Sequence, residues 1–370
     1  MGDFKVPPLS TLIGSTLPNY LKVLRKGKVH PRYYHKVILT FLVGIISNAF
    51  IPWERLRENY QSIKVNKPIF ILGHWRSGTT LLHNLLCQDQ NAAFITTYQS
   101  IFPHNMHSKW LFKNFVHWKI PEKRPTDDMD LGVNLPQEDD FAMANITPAF
   151  YDFFFFPDQY LSTYEKHVRF TENGDENKQA WLEGYDYLIR KALYNRKGKF
   201  PILKNPANTA RFTGILEKYP DAKFIHIYRN PLTVYLSTKK FFLSLFPSVQ
   251  LQKTTPEQIT NIVFKYYGLV MRDYLDQRNL IPEESLYEIR FEDFEKEPFA
   301  FLEEIYKKFD IDDWPKAATY IKAFYKEQDG YQKNVYKISQ EELNRVQTEW
   351  GFAFEAFNYT LPENIEIIND

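Results

Sequence analysis

Hydrophobic positions along the chain follow two rhythms. Pro68-Ile69-Phe70-Ile71-Leu72, Pro201-Ile202-Leu203 and Phe224-Ile225-His226-Ile227-Tyr228 are short apolar runs without strict alternation, which predicts strands buried on both faces of a parallel sheet. Ser285 to Phe291 alternates and predicts a further strand, and Thr96-Thr97-Tyr98-Gln99 is expected to end another. The second rhythm is helical. Trp181, Tyr185, Leu188 and Leu193 share about one face between Lys178 and Leu193, and Ile262, Tyr266, Leu269 and Tyr274 do so between Ile259 and Arg278. Lys239 to Leu251, ahead of Pro256, reads as a mobile helix-loop region, and Gln340 to Trp350 as a final surface helix. These elements predict an α/β fold of three layers with a central parallel sheet. A helical extension is expected over residues 1–65 and one large domain over residues 66–370.

Two stretches fit neither rhythm. Phe150-Tyr151-Asp152-Phe153-Phe154-Phe155-Phe156-Pro157 would invite aggregation if exposed, so core, an apolar ligand or a membrane must cover it, with core the default. Val37 to Trp53 is apolar-dominated over about 15 residues, short of the roughly 20 that span a bilayer. Arg32 and Lys36 precede it, and Arg55 and Arg57 follow. Residues 37–53 therefore suit peripheral membrane contact and packing on the large domain equally well. Met1 to Tyr20 lacks the basic start and compact apolar run of a secretory signal.

Charge and cysteine content narrow the function classes. A net charge of +1 argues against a nucleic-acid binder, which needs a concentrated basic surface, and favours a small or apolar partner. The single cysteine, Cys87, excludes an intramolecular disulfide and a thiolate zinc cluster, and points to a reducing compartment. Its place on an apolar helix predicts a buried, inert thiol.

Chemistry concentrates at the ends of two predicted strands. Gly73-His74-Trp75-Arg76-Ser77-Gly78-Thr79-Thr80 keeps the GxxxxG spacing of a P-loop, in which backbone N–H groups and a helix N-terminus converge on an anion. Thr79 stands where an ATP-binding loop carries lysine, and the cation has moved to Arg76, so a nucleotide other than ATP with magnesium is expected. The alternative is a glycine-containing turn without ligand. Arg229-Asn230-Pro231 follows the second strand, with Ser237 about two helical turns further on. Lys204 closes the run at Pro201 and is expected at a strand's carboxyl edge, where ligands of open α/β sheets bind. Pro136-Gln137-Glu138-Asp139-Asp140-Phe141 reads as a helix start, with acidic groups facing the dipole. His104 and His107 fall on a loop or short helix and are expected to be solvated, with a place facing an acceptor the alternative.

Taken as a pair, Arg76 to Thr80 after one strand and Arg229-Asn230-Pro231 with Ser237 after another closely resemble the PAPS-dependent sulfotransferases. The resemblance runs from about residue 66 to about residue 355. It implies that Arg76, Ser77, Gly78, Thr79 and Thr80 surround the 5' side of 3'-phosphoadenosine 5'-phosphosulfate, and that Arg229 and Ser237 hold its 3'-phosphate. Lys333 and Asn334 are expected in a loop that closes on the same phosphate, with a solvated polar loop the alternative. It further implies that Lys204 neutralises charge on the transferring group. Cytosolic relatives place a histidine just after this lysine and many bacterial relatives place one slightly further on, but Pro206 and Asn208 stand at those positions here. The base is therefore expected to be a carboxylate, Glu138, with Asp139 in reserve. No metal is required in this reading.

The expected reaction is sulfuryl transfer from PAPS to a hydroxyl of an apolar acceptor, a sterol or lipid alcohol before a carbohydrate, leaving adenosine 3',5'-bisphosphate. A bacterial, cytoplasmic protein is expected. A P-loop kinase and a non-catalytic nucleotide-binding or membrane-docking scaffold are the alternatives.

Overall fold

The computed structural model describes residues 9–119, 132–172, 174–327, 336–362 and 365–368. The chain divides into two units, each assembled from three stretches. Met1–Pro68, Asn91–Leu203 and Ser244–Thr255 make the first, and Ile69–Gln90, Lys204–Leu243 and Pro256–Asp370 the second. The strands are β1 (Ile69–Leu72), β2 (Ala92–Ala93), β3 (Phe200–Lys204), β4 (Lys223–Tyr228), β5 (Leu286–Arg290), β6 (Tyr336–Ser339) and β7 (Ile365–Ile368).

The second unit is built on β1, β4 and β5, which run parallel with Leu72 opposite His226 and Tyr228 opposite Arg290. All of β1 is buried, as its unbroken apolar run requires of a strand covered on both faces. Parallel register brings the carboxyl ends of β1 and β4 side by side. That is where the two arginine-bearing loops leave the sheet. The Pro256–Gln277 helix covers the unit with Ile262, Tyr266 and Tyr274 buried, as the periodicity predicts. The Gln340–Ala356 helix is longer than the sequence suggests and is not a surface element. Its Trp350 is fully buried and stacks on Tyr267 at 3.8 Å. Beside it β6 and β7 form a separate parallel pair. Cys87 is buried in this unit.

Helices dominate the first unit. The Gly174–Arg196 helix buries Trp181, Tyr185, Leu188 and Leu193. Thr97–Ile101 is helical rather than the end of a strand. The Thr96 hydroxyl accepts from the Gln99 N–H, and the Gln99 side chain accepts from the Thr96 N–H, so the two form a reciprocal cap. This Thr-x-x-Gln signature was present in the sequence and outweighs the β-branched residues. The region after Ser237 also differs from expectation, because Pro231–Val249 is one helix that continues through Pro247. The aromatic run from Phe150 to Phe156 is buried, with Phe154 against Phe246 at 5.3 Å and the Phe155 carbonyl accepting from the Leu251 N–H. Each such ring contributes about 1.5–3 kcal/mol on burial, so core packing alone accounts for the run.

The apolar stretch of the N-terminus belongs to a helical segment spanning Pro31–Arg57, 27 residues, which is long and apolar enough to cross a membrane by length and composition. The run of apolar residues alone underestimates this length, because it omits the flanking turns. Its central element is the Tyr34–Ala49 helix.

Candidate active site

Between β1 and the Thr79–Leu86 helix the chain turns through Gly73 to Gly78. Three residues of this turn have positive φ: Gly73 at 139°, Arg76 at 70° and Gly78 at 96°. The glycines are sterically required. A Cβ on Gly73 would lie 2.4 Å from the Ile227 carbonyl oxygen, and one on Gly78 would lie 2.2 Å from the Phe291 ring. Arg76 holds the left-handed conformation without being glycine, at a cost of order 1 kcal/mol or more, a kind of strain that gathers at ligand sites. Trp75 anchors the turn, packed against Tyr266 at 4.8 Å and Phe242 at 5.2 Å. No side chain caps the helix at Gly78, so its N-terminal N–H groups and the positive end of its dipole open onto the turn.

The two arginine segments meet. Arg76 Nε donates to Ser237 Oγ at 2.8 Å, and Arg229 Nη1 donates to the Arg76 carbonyl at 3.3 Å, across 161 and 153 residues of sequence. Ser77 and Thr79 are buried beside them, and Thr80 is half-buried. Arg229 lies over the Phe291 ring at 4.2 Å, the same ring that closes on Gly78. One aromatic side chain therefore braces both loops. The stretch after Lys204 joins them through Thr209, whose Oγ1 accepts from the Gly73 N–H at 2.7 Å. Lys204 itself is buried at the end of β3. Asn205 Nδ2 and His74 Nε2 are buried polar atoms without a hydrogen-bond partner among the described residues.

Side chains from distant segments shape the end of β4. Asn230 Oδ1 accepts from the Leu232 N–H at 3.1 Å, Asn230 Nδ2 donates to the Thr360 carbonyl at 2.8 Å, and Glu292 accepts from the Asn230 N–H at 3.2 Å. Tyr228 stacks on Phe357 at 4.5 Å. Within the sheet, Glu288 accepts from Tyr274 at 2.8 Å and contacts His226 Nδ1 at 3.1 Å. Burial pushes the Glu288 carboxyl up, but His226, Tyr274 and Arg278 together outweigh it and hold the group at about 2.

A turn with glycine at both ends, an uncapped helix start and two linked arginines, one bonded to the Ser237 hydroxyl and the other to the first one's carbonyl, is suited to a ligand carrying more than one anionic group. The comparisons decide the family. The model of the Sulfotransferase family matches residues 68–316, more than half of the chain and inclusive of every residue just described except the C-terminal contacts.

This chain belongs to the Sulfotransferase family.

Among its relatives, the omega-hydroxy-beta-dihydromenaquinone-9 sulfotransferase Stf3 of Mycobacterium bovis is 28% identical over 354 residues, covering 94% of this chain and 90% of that protein. The Stf3 of Mycobacterium tuberculosis matches to the same extent. The crystal structure of sulfotransferase STF9 from Mycobacterium avium aligns with a TM-score of 0.66 at 15% identity, covering 92% of this chain and 90% of that one. That of STF1 from Mycobacterium tuberculosis aligns with a TM-score of 0.58 at 18% identity, covering 83% and 85%. These two share the α/β fold.

The remaining candidate residues of this sulfotransferase lie in the first unit or outside the described residues. Glu138 is the N-cap of the Asp139–Ile146 helix, half-buried, and its side chain does not cap that helix. Asp139 is fully buried and accepts from the Tyr185 hydroxyl at 2.5 Å, while Asp140 accepts from the Tyr151 N–H at 3.0 Å. Both aspartates thus hold structure together. His104 and His107 are packed rather than solvated. His104 lies 3.3 Å from both the Tyr187 hydroxyl and the Asn145 carbonyl, and burial pushes it down to about 4. His107 sits edge-on to Trp53 and Tyr194. Lys333 and Asn334 lie outside the described residues. Among the described residues no group of three or more His, Cys, Asp or Glu side chains is arranged to hold a metal ion.

Thr209, Phe291, Glu292 and Phe357 were not singled out from sequence. Phe291 ends the alternating run from Ser285, and no local pattern ties it or Glu292 to Gly78 or Asn230.

Proposed function

We propose that this sulfotransferase moves a sulfuryl group from PAPS to the hydroxyl of an apolar lipid alcohol. The observation that carries the reading is the convergence of Arg76, Arg229 and Ser237 at the ends of two adjacent strands. The residues present fit a doubly anionic nucleotide. The positive-φ turn leaves backbone N–H groups for one anionic group, and buried Asn205 Nδ2 remains as a further donor.

Arg76, Ser77, Gly78, Thr79 and Thr80 hold the phosphosulfate end, and Arg229 and Ser237, with Lys333 and Asn334, hold the 3'-phosphate. PAPS, when bound, supplies the sulfuryl group and departs as adenosine 3',5'-bisphosphate. Lys204 and Arg76 offset the charge that develops as the bond to the leaving group breaks, acting from fixed positions that need no reorganisation. Glu138 takes the proton of the acceptor hydroxyl, a contribution of about 10²- to 10⁴-fold for a positioned base. An apolar acceptor is supported by the aromatic richness of the chain and by the relative named for omega-hydroxy-beta-dihydromenaquinone-9.

The test offers labelled PAPS to the full chain with pooled sterols, hydroxylated lipids and sugars, and identifies the product by mass. A sulfated lipid alcohol is expected. Exclusive sulfation of sugars would overturn the acceptor assignment, and phosphate transfer from ATP would overturn the donor.

A further inference from the structure

The Tyr34–Ala49 helix has its polarity reversed. The face that packs on its own unit carries Lys36, Thr40, Gly44 and Ser47, all buried. These are held by specific bonds. Lys36 Nζ donates to the Ser248 carbonyl, Thr40 Oγ1 accepts from the Ser10 N–H at 2.8 Å, and Ser47 Oγ donates to the Ile13 carbonyl at 3.2 Å. Asn48 adds bonds to the Leu17 N–H and the Ser15 carbonyl. Two residues out of phase, on the opposite side, stand Ile38, Leu42 and Ile46, each more than half exposed, with Leu39 and Ile45 beside them. A helix in water places its apolar side inward. Here the apolar side faces out.

Charge identifies the occupant. Lys22, Arg25, Lys28 and Arg32 are exposed before the helix, and Arg55 and Arg57 after it. Between residues 9 and 57 the only carboxylate is Glu54. It is buried and consumed by the His107 and Ser108 N–H groups and the Ser108 hydroxyl. An aliphatic strip with cations at both ends and no exposed carboxylate matches an anionic lipid surface. Pairing of two copies along this helix would instead set cations against cations in either orientation. Spanning is excluded by the inner face, whose buried bonds hold it against protein along the length of the helix.

We propose that the Tyr34–Ala49 helix docks this protein on anionic membrane, lying in the boundary between headgroups and acyl chains. This stands on the surface of the first unit alone and does not depend on the transfer reaction.

The test is co-sedimentation of the full chain with vesicles of phosphatidylcholine, with or without phosphatidylglycerol, at low and high salt. Binding is expected to anionic vesicles and to fall by about 10-fold or more without phosphatidylglycerol, given the cost of losing several lysine and arginine contacts. Leu42→Glu/Ile46→Glu is expected to lower binding by about 10-fold or more while leaving the thermal midpoint unchanged, because both positions are exposed. Ile38→Gln/Ile45→Gln is a milder second pair, expected to weaken binding in the same direction. Failure of the wild type to bind, or binding at the wild-type level by both pairs, overturns the proposal. So does a dimer in lipid-free sedimentation that Leu42→Glu/Ile46→Glu converts to monomer, which would assign the face to a second copy. Neither donor nor acceptor enters the measurement, so its failure leaves the transfer reading untouched.

Discussion

The loops at the ends of β1 and β4 both present an arginine, yet they are built by opposite means. After β1 the backbone does the shaping: three residues of positive φ fold six residues into a turn, and two glycines admit Ile227 and Phe291 at distances that no side chain would tolerate. Beyond β4 the backbone is ordinary, and the side chains of residues 291, 292 and 357 with the carbonyl of residue 360 fix the geometry. A loop of the first kind carries its specification within itself. A loop of the second kind is specified by the rest of the fold, and its cation is positioned only when that fold is complete.

The largest expected effect comes from groups assigned to the reacting centre rather than to either loop. Lys204→Ala and Glu138→Gln are expected to lower kcat by about 10²-fold or more. The affinity for adenosine 3',5'-bisphosphate, measured by calorimetry, should stay near wild type. A parallel loss of affinity would move both residues from transfer to nucleotide holding.

Breaking the first loop should come next. Gly78→Ala places a methyl against Phe291 and forces an unfavourable φ, costing about 1–3 kcal/mol in nucleotide affinity. Adding Phe291→Ala removes the clash but not the backbone strain, so recovery is expected to be partial. Full recovery would show that packing alone required the glycine.

For the second loop, Arg229→Ala is expected to weaken adenosine 3',5'-bisphosphate by about 1.5–3 kcal/mol, the worth of a hydrogen bond to a charged group. Adenosine 5'-phosphosulfate, which lacks the 3'-phosphate, should lose far less. Asn230→Ala should act more gently, costing about 0.5–1.5 kcal/mol of stability through its lost bonds to Thr360 and Leu232.

A separate expectation concerns pH. His74 is buried against Trp75, Tyr266 and Tyr267, and burial holds it at about 3, below the ordinary 6.5. The unfolded chain therefore takes up the proton first. Stability from this group is complete above pH 6.5 and declines as pH falls toward 3. The urea midpoint should drop between about pH 7 and about pH 5, and His74→Asn should flatten that slope. His104, held at about 4 in the first unit, adds a decline of the same sign that His74→Asn leaves in place. An unchanged slope in the variant would remove His74 from the account.

The same contrast explains what could be read in advance. The strands β1, β3, β4 and β5, the long helices around Trp181 and Tyr266, and the P-loop turn are local signals, carried by apolar period and glycine spacing. The meeting of Arg76 with Ser237 required the parallel register of β1 and β4, which no short motif encodes. Phe291 closes the alternating run from Ser285, but its contact with both Gly78 and Arg229 is purely tertiary. Thr96 to Gln99 departs from expectation for a different reason: the capping box outweighs the β propensity of its threonines. Likewise the burial of Trp350 is not legible in its own helix, because it depends on Tyr267, more than eighty positions earlier.

The assembly of the first unit from three separate stretches bears on biosynthesis. The Phe150–Phe156 segment is covered in part by Phe246 and Leu251, about 90 residues downstream, which at roughly 5–20 residues per second reach the ribosome exit some five to twenty seconds later. Until then a nascent chain carries a bare aromatic cluster, a natural client for a holding chaperone.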